Sequence, residues 1–437
     1  MIQVRERALI TSSEGQLSSL DIGVVTKATF DWLLVLHNSW ETRAPLFQQN
    51  GKQFLRLNAY VGILQSPSGE LIEILPKTQE SITSDNELVR LRQLLQRMVI
   101  KAFSLKPKES GTASLTSTNT PIHEWIFGQF LAELTTLVGK GLKNDYIRVE
   151  EESRFIKGQM DMSKQLRKGP DKSTYFDIRH DLYSPDRIEN RLLKTAVDYV
   201  LKVTKTSENW RLANELAHFL TEIPNLIKPE QSLFKWQHNR AMMPYEPVFP
   251  WCEIIIQKFN PSFQIGKSRG ISFLFSMDKL FEVFVAESLK KRVIKPSILR
   301  SQIASQYFVK HHSKLSSLQE DWFQLKPDLM LLSNGKKNVM DTKWKLLNSE
   351  LNTSKDKYEL SQADFYQLFT YGHKYMNGEG HMLLIYPVNP RFKEPLPIFN
   401  FSNDLHLWVV PFDLYSEEII GGAWQEHFSI NNKTQFF

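Results

Sequence analysis

The chain has 437 residues, 41% hydrophobic and 12% aromatic, with a formal net charge of +6. That length exceeds one ordinary core and calls for two or three domains, and the composition excludes a disordered or fibrous chain. The single cysteine, Cys252, excludes an intramolecular disulfide and a cysteine-based zinc site, Met1 to Arg7 lacks the apolar core of a secretory signal, and no stretch can span a bilayer, so a soluble cytoplasmic protein with no membrane partner is expected.

Residues 1–85 read as a β-rich N-terminal module. Short apolar runs such as Phe54 to Leu57, Tyr60 to Gln65 and Leu71 to Pro76 are broken by Gly, Asn and Ser. Residues 86–260 form a helical and mixed section. Apolar residues three and four apart predict helices over Glu87 to Phe103 and Ile122 to Val138, separated by a Ser- and Thr-rich loop from Lys106 to Pro121. Further helices are expected over Arg191 to Val203 and Trp210 to Ile223, while Pro244 to Ile256 carries no clear pattern. A boundary is expected between Asn260 and Gly270, where Pro, Gly and Ser cluster.

Residues 261–437 have an α/β pattern. A helix is predicted from Ser272 to Val293, a strand near Gln302 to Val309, then a hairpin, a polar loop from Leu346 to Glu359, and a helix from Ser361 to Met376. Strands over His381 to Pro387 and Leu405 to Phe412 follow. This order places the hairpin at the centre of a mixed sheet with a helix on each side. The whole chain is expected to be a multidomain α+β protein.

The hairpin carries the most informative residues. Pro327-Asp328 is followed thirteen residues after Asp328 by Asp341-Thr342-Lys343, with the turn sequence Ser333-Asn334-Gly335-Lys336 between two apolar runs. Asn-Gly supplies the positive-φ residues of a tight turn. Residues two apart on a strand share a face, so Asp341 and Lys343 project together beside Asp328 on the neighbouring strand. Two carboxylates and an ammonium so placed can hold a divalent cation and a water against a phosphodiester. Acid-x-Lys triplets are also common on plain solvated faces, so the motif needs support from elsewhere.

Three further features bear on it. Lys290, Lys291, Arg292, Lys295 and Arg300 lie within eleven residues just before the hairpin. They are candidate DNA contacts, or simply cations suited to a helix C-terminus. Glu282 stands among apolar residues of the preceding helix, where an acid costs free energy unless it is paired, bound to a cation or partly exposed. Gln367 and Tyr371 are four apart on one face of the following helix and can orient side chains at the site or serve as packing groups.

With Pro327-Asp328, Asp341-Thr342-Lys343 and the Gln367 to Tyr371 helix in this order, the C-terminal region resembles the PD-(D/E)xK nuclease superfamily. More narrowly, the chain resembles the McrC family, the nuclease subunits of McrBC modified-cytosine restriction systems. Asn58 to Gly62, Ile72 to Lys77, Gly141 to Tyr146, Phe155 to Asp161, Glu189 to Lys194 and Phe275 to Glu282 carry that likeness in order along the chain. It implies a Mg²⁺-dependent DNA endonuclease in which Asp328, Asp341 and the Thr342 carbonyl hold the cation. Lys343 stabilises charge on the phosphate, and Glu282, Gln367 and Tyr371 assist.

The resemblance also implies a partner, an McrB-like GTP-hydrolysing AAA+ ring that reads duplex DNA carrying modified cytosine. The present chain would dock through its N-terminal half and stimulate GTP hydrolysis. In agreement, the nearest approach to a phosphate-binding loop, Gly266-Lys267-Ser268, has Pro261 where the first glycine belongs. A non-catalytic adaptor that only stimulates the GTPase, and a nuclease acting alone, are the competing readings. A serine or cysteine hydrolase has no supporting triad or elbow.

Overall fold

The computed structural model describes all residues except 14, 40–44, 52, 80–84, 108–119, 170–173, 261–263, 266–267, 313–318, 334 and 432–437. Most of the expected loop between Lys106 and Pro121, Asn334 of the hairpin turn, and Pro261 and Lys267 of the phosphate-loop comparison lie outside the described residues. The protein is α+β and divides into two compact units: Met1–Leu105 together with Phe263–Phe437, and Lys106–Ser262.

These units follow a different course from the expected division at residues 85 and 260. The reason is a shared sheet. Strand Ile271–Ser276 pairs antiparallel with Tyr60–Gln65, which pairs with Leu71–Leu75, which in turn lies parallel to Ile2–Arg5. Helix Asp85–Ala102 belongs to the same unit, and its Arg97 and Lys101 both form ion pairs with Glu417.

The predicted helix from Ser272 to Val293 therefore starts later, as Met277–Lys290, after a strand. Phe273 and Phe275 are fully or almost fully buried in that strand, and sheet pairing overrides the helical pattern. Gly62 makes the pairing possible. It sits at a φ of +128°, and a Cβ there would come within 2.1 Å of the Phe273 carbonyl oxygen.

The β-rich reading of the first eighty-five residues omits a helix, Lys27–Ser39. Its start is secured by the Thr26 hydroxyl, which accepts from the Thr29 N–H at 3.3 Å. Phe30, Leu33 and Leu36 recur on one face and are buried against strands Leu9–Thr11 and Phe54–Leu57 in one core cluster.

The C-terminal sheet runs in the order Ile298–Ser301, Leu329–Ser333, Lys336–Thr342, Gly380–Pro387, Leu405–Asp413, Phe399–Asn400. It is mixed: Leu329–Ser333 is antiparallel to both of its neighbours, whereas Lys336–Thr342, Gly380–Pro387 and Leu405–Asp413 run parallel. Side-chain alternation assigns the two faces. Met330, Val339, Met382, Leu384 and Leu407 form one core with Leu368 and Tyr371 of helix Gln362–Met376. Phe412, on the opposite face of its strand from Leu407, meets Phe281 and Phe284 of helix Met277–Lys290 with ring centroids 6.1 Å apart in each case.

The second unit packs helices Ile122–Lys140, Ile188–Val203, Ser207–Phe219 and Phe249–Lys258 around a buried polar knot. Glu124 accepts from the Thr204 hydroxyl, the Lys205 and Thr206 N–H groups and the Asn209 amide. Burial is the largest influence on Glu124 and raises its pKa, but these donors outweigh it and hold the carboxyl below the ordinary value. Strands Asp145–Ser153, Phe176–Ser184 and Gln159–Met160 form a separate antiparallel sheet in this unit. Pro244 to Ile256, without a readable pattern in the sequence, holds the end of a 3-10 turn, Arg240–Tyr245, and most of the Phe249–Lys258 helix.

Candidate functional site

The hairpin closes tightly. Ser333 pairs with Lys336, and Gly335 adopts the positive φ, +78°, that such a turn requires. The register sets Leu329 opposite Met340, so Asp328 and Asp341 come together just beyond the paired ends. Asp341 and Lys343 continue the face begun by Val339, which looks toward helix Gln362–Met376.

Asp328 is held by Thr342, whose N–H and hydroxyl donate to its Oδ2 at 2.8 and 2.7 Å. Asp341 is only 1% exposed, and neither of its carboxylate oxygens has a hydrogen bond of acceptable geometry. The Lys343 Nζ stands 2.8 Å from its Oδ2 as an ion pair and donates to Gln367 Oε1 at 3.1 Å. Gln367 in turn donates to the Tyr371 hydroxyl at 2.7 Å, which donates to the Lys326 carbonyl at 3.1 Å. A relay of three side chains thus ties the lysine to the backbone that leads into Pro327-Asp328.

Electrostatics follow from crowding. Burial, then the neighbouring Asp328 charge, push the Asp341 carboxyl up to about 7, against the pull of Lys343. Asp328 is also raised, first by burial. Burial draws the Lys343 ammonium down, but Asp341, Asp364 and Asp328 outweigh it and raise its pKa, so the side chain is cationic at neutral pH.

Glu282 lies close enough for Asp328 to add to the burial that raises its carboxyl, and it accepts from the Gln302 amide at 3.0 Å. Two acids not singled out from the sequence join them. Asp278, one turn before Glu282, feels the charges of both Asp328 and Lys343. Asp364, three residues before Gln367, is 3.8 Å from Lys343 and accepts from the Tyr386 hydroxyl at 3.2 Å. Helical spacing from Glu282 and Gln367 was the available signal for each.

Lys290, Lys291, Arg292 and Lys295 of the basic cluster sit at or beyond the far end of helix Met277–Lys290, whereas Arg300 pairs with Met330, two residues from Asp328. Lys290 ends the helix eight residues after Glu282, a rise of about 12 Å. Arg292 is paired with Glu418 at 2.7 Å, and Lys290 with Glu287. Lys291, Lys295 and Arg300 are exposed.

Among the described residues, no group of three or more His, Cys, Asp and Glu side chains is arranged to hold a metal ion. A magnesium ion does not require one, since it binds through one or two carboxylates and completes its octahedron with water and phosphate oxygens. The donor set fits that demand: two acidic side chains side by side, one of them with both oxygens buried and lacking a hydrogen bond.

The fold and this site define an α+β protein with a buried acidic pair and a cationic lysine at adjoining strand ends. The chain belongs to the family of McrBC 5-methylcytosine restriction system components, whose model matches residues 55–387. It is similar in structure to a chain of the Thermococcus gammatolerans half-complex described as McrB AAA+ hexamers with bound McrC, at 18% identity and a TM-score of 0.66, over 98% of each chain. A chain of the cryo-EM McrBC complex from the same organism matches at 21% identity and a TM-score of 0.47, over 65% of this chain and 85% of that one. Comparison with curated protein sequences finds no match. The family likeness read from the sequence is thereby upheld. No helix among the described residues is long and apolar enough to cross a membrane.

Proposed function

We propose that this chain is the McrC-type endonuclease subunit of a GTP-dependent restriction system, with a PD-(D/E)xK core that hydrolyses DNA phosphodiesters. The observation that carries the reading is Asp341, a buried carboxylate without hydrogen bonds, flanked by Asp328 and by a lysine held in place by Gln367. One ammonium does not offset two crowded, buried carboxylates, which cost free energy unless a further cation completes their surroundings.

Asp328 and Asp341 would hold Mg²⁺, with the Thr342 carbonyl as a further oxygen. The bound cation supplies Lewis-acid polarisation of the phosphate. Thr342 fixes the Asp328 carboxylate from two sides. Lys343 stays protonated, which suits it to stabilise the charge that grows on the phosphate and not to act as a base. Gln367 and Tyr371 act through Lys343 as positioning residues, and Glu282 adds negative charge from the helix.

The partner in this reading is an McrB-like AAA+ ring that hydrolyses GTP and selects duplex DNA with modified cytosine. We assign docking to the Lys106–Ser262 unit, where large apolar side chains stand in solvent. Phe155 is 73% exposed, Tyr146 70% and Tyr183 59%. Tyr146 and Tyr183 face each other across one end of that unit's sheet with ring centroids 5.0 Å apart, and Phe155 follows its other end; exposed apolar groups of this kind suit an interaction surface. Replacing Phe155 and Tyr183 together by Ser is expected to weaken binding to the ring at least tenfold, measured by titration calorimetry, while Mg²⁺ affinity is unchanged. Unaltered ring affinity would place docking elsewhere.

The reading is tested with the complete complex, GTP and cytosine-methylated duplex DNA. Asp341→Ala should assemble with the ring and stimulate GTP turnover as the unaltered chain does, yet fail to cut. Cutting by Asp341→Ala at the rate of the unaltered chain and at the same Mg²⁺ concentration would favour the adaptor reading. Loss of GTP stimulation in a folded Asp341→Ala protein would mean that the two activities share this site.

A further inference from the structure

Beside the acidic pair, a polar cleft of about 420 Å³ is lined by Arg7, Gln48, Arg56, Asn58, Tyr60 and Asp278, among others. Its place is fixed by Arg7 and Asp278. Arg7 donates to the carbonyl oxygen of Trp344, the residue after Lys343, at 3.0 Å. Asp278 also lines the cleft, one turn before Glu282 on helix Met277–Lys290, and is near enough to Asp328, Lys343 and Arg7 to feel their charges. The cleft therefore opens next to the site.

The way the chain presents these arginines is informative. Arg7 lies in the turn between strands Ile2–Arg5 and Leu9–Thr11 at a φ of +61°, a conformation that disfavours any residue with a Cβ. Glycine or asparagine would sit there with less strain, so the backbone outlier points to a role for the side chain. Arg56 alternates with the buried Leu55 and Leu57 and so faces away from the core. Its side chain is exposed, and it makes no ion pair or side-chain hydrogen bond among the described residues. The cleft lining thus holds two guanidinium groups and one carboxylate, Asp278, a surplus of cationic groups that suits a phosphodiester. Arginine suits that ligand, because its planar fork offers paired donors to phosphate oxygens.

We infer that Arg7 and Arg56 form a phosphate subsite that grips the DNA backbone beside the phosphodiester held at Asp328 and Asp341. This rests on the nuclease reading. It assigns DNA contact to the N-terminal residues of the unit and distinguishes it from Lys290, Lys291, Arg292 and Lys295 at the far end of helix Met277–Lys290.

The experiment uses the full chain in complex with its ring partner, and cytosine-methylated duplex DNA as the probe. Affinity is measured across salt concentrations with Mg²⁺ chelated, and cutting is measured in parallel with Mg²⁺ restored. Each phosphate contact contributes about 0.9 to the slope of log affinity against log salt. Arg56→Ala is expected to lower that slope by about 0.9, and Arg7→Ala with Arg56→Ala by about 1.8, equally on unmethylated DNA. Arg56→Lys should restore the slope, because it restores the charge. Arg56→Ala removes no ion pair or side-chain hydrogen bond found among the described residues, so misfolding does not confuse its result. Cutting by the unaltered complex with unchanged slopes in both Ala variants would overturn the subsite alone. Absence of Mg²⁺-dependent cutting by the unaltered complex would overturn the nuclease reading, and the subsite with it.

Discussion

Lys343→Ala should lower the rate of DNA cutting by about 10²–10³-fold, the usual loss when one charge-stabilising donor is removed from a reaction centre. It should still respond to Mg²⁺, since both carboxylates remain, although Asp341 loses the ammonium that favours its ionised form. Asp341→Ala should lose cutting at least as severely but for another reason, the loss of a cation ligand. Raising Mg²⁺ should therefore recover a larger share of its activity than of that lost in Lys343→Ala. Neither change opens a sizeable core cavity, and Asp341→Ala removes a buried carboxylate whose ionisation is already disfavoured, with its carboxyl raised to about 7. Both proteins should stay folded. Equal cutting by the two variants and the unaltered protein, or identical Mg²⁺ titrations of the two variants, would contradict the assigned roles.

The arrangement around the acidic pair was readable because it is local. Asp328, Asp341 and Lys343 sit on two strands joined by a two-residue turn, so strand periodicity and a single glycine fix their relation. The relay through Gln367 and Tyr371 needs only helical spacing. What the sequence concealed lies at long range. Nothing near Phe273 announces that Ile271–Ser276 will pair with a strand more than two hundred residues earlier, and its apolar residues fit a helix equally well. The Lys27–Ser39 helix was hidden among strands, although Thr26 and the Phe30, Leu33, Leu36 spacing were there to find. Arg292 counts as free charge in a sequence, but in the fold it pairs with Glu418. Arg7 and Arg56, isolated in the sequence, are brought to one cleft by sheet pairing.

Glu6 is the clearest case of a long-range effect with a measurable consequence. Its side chain is completely buried. Oε1 accepts from the Lys77 N–H at 2.9 Å and from the Trp344 indole, while Oε2 is buried without a partner. Desolvation pushes the carboxyl up from 4.5 to about 7, and the Lys77, Trp344 and Arg7 interactions only partly oppose it. Below the unfolded value near 4.5 the group is protonated in both states and has no effect on the pH dependence. Between about 4.5 and 7 the folded carboxyl keeps a proton that the unfolded chain releases, so stability falls as pH rises. Above about 7 the penalty is complete, on the order of 3 kcal/mol for a shift of this size. Glu6→Gln keeps an acceptor for Trp344 and Lys77 but never ionises. Its own fixed cost, an added amide donor near Oε2, is the same at every pH. The stability of Glu6→Gln minus that of the unaltered protein should therefore rise by about 3 kcal/mol from pH 4 to pH 8, read from denaturant titrations that follow the tryptophan fluorescence. Parallel pH profiles for the two proteins would show that Glu6 ionises normally in the fold and that its contact with Trp344 does not depend on the proton.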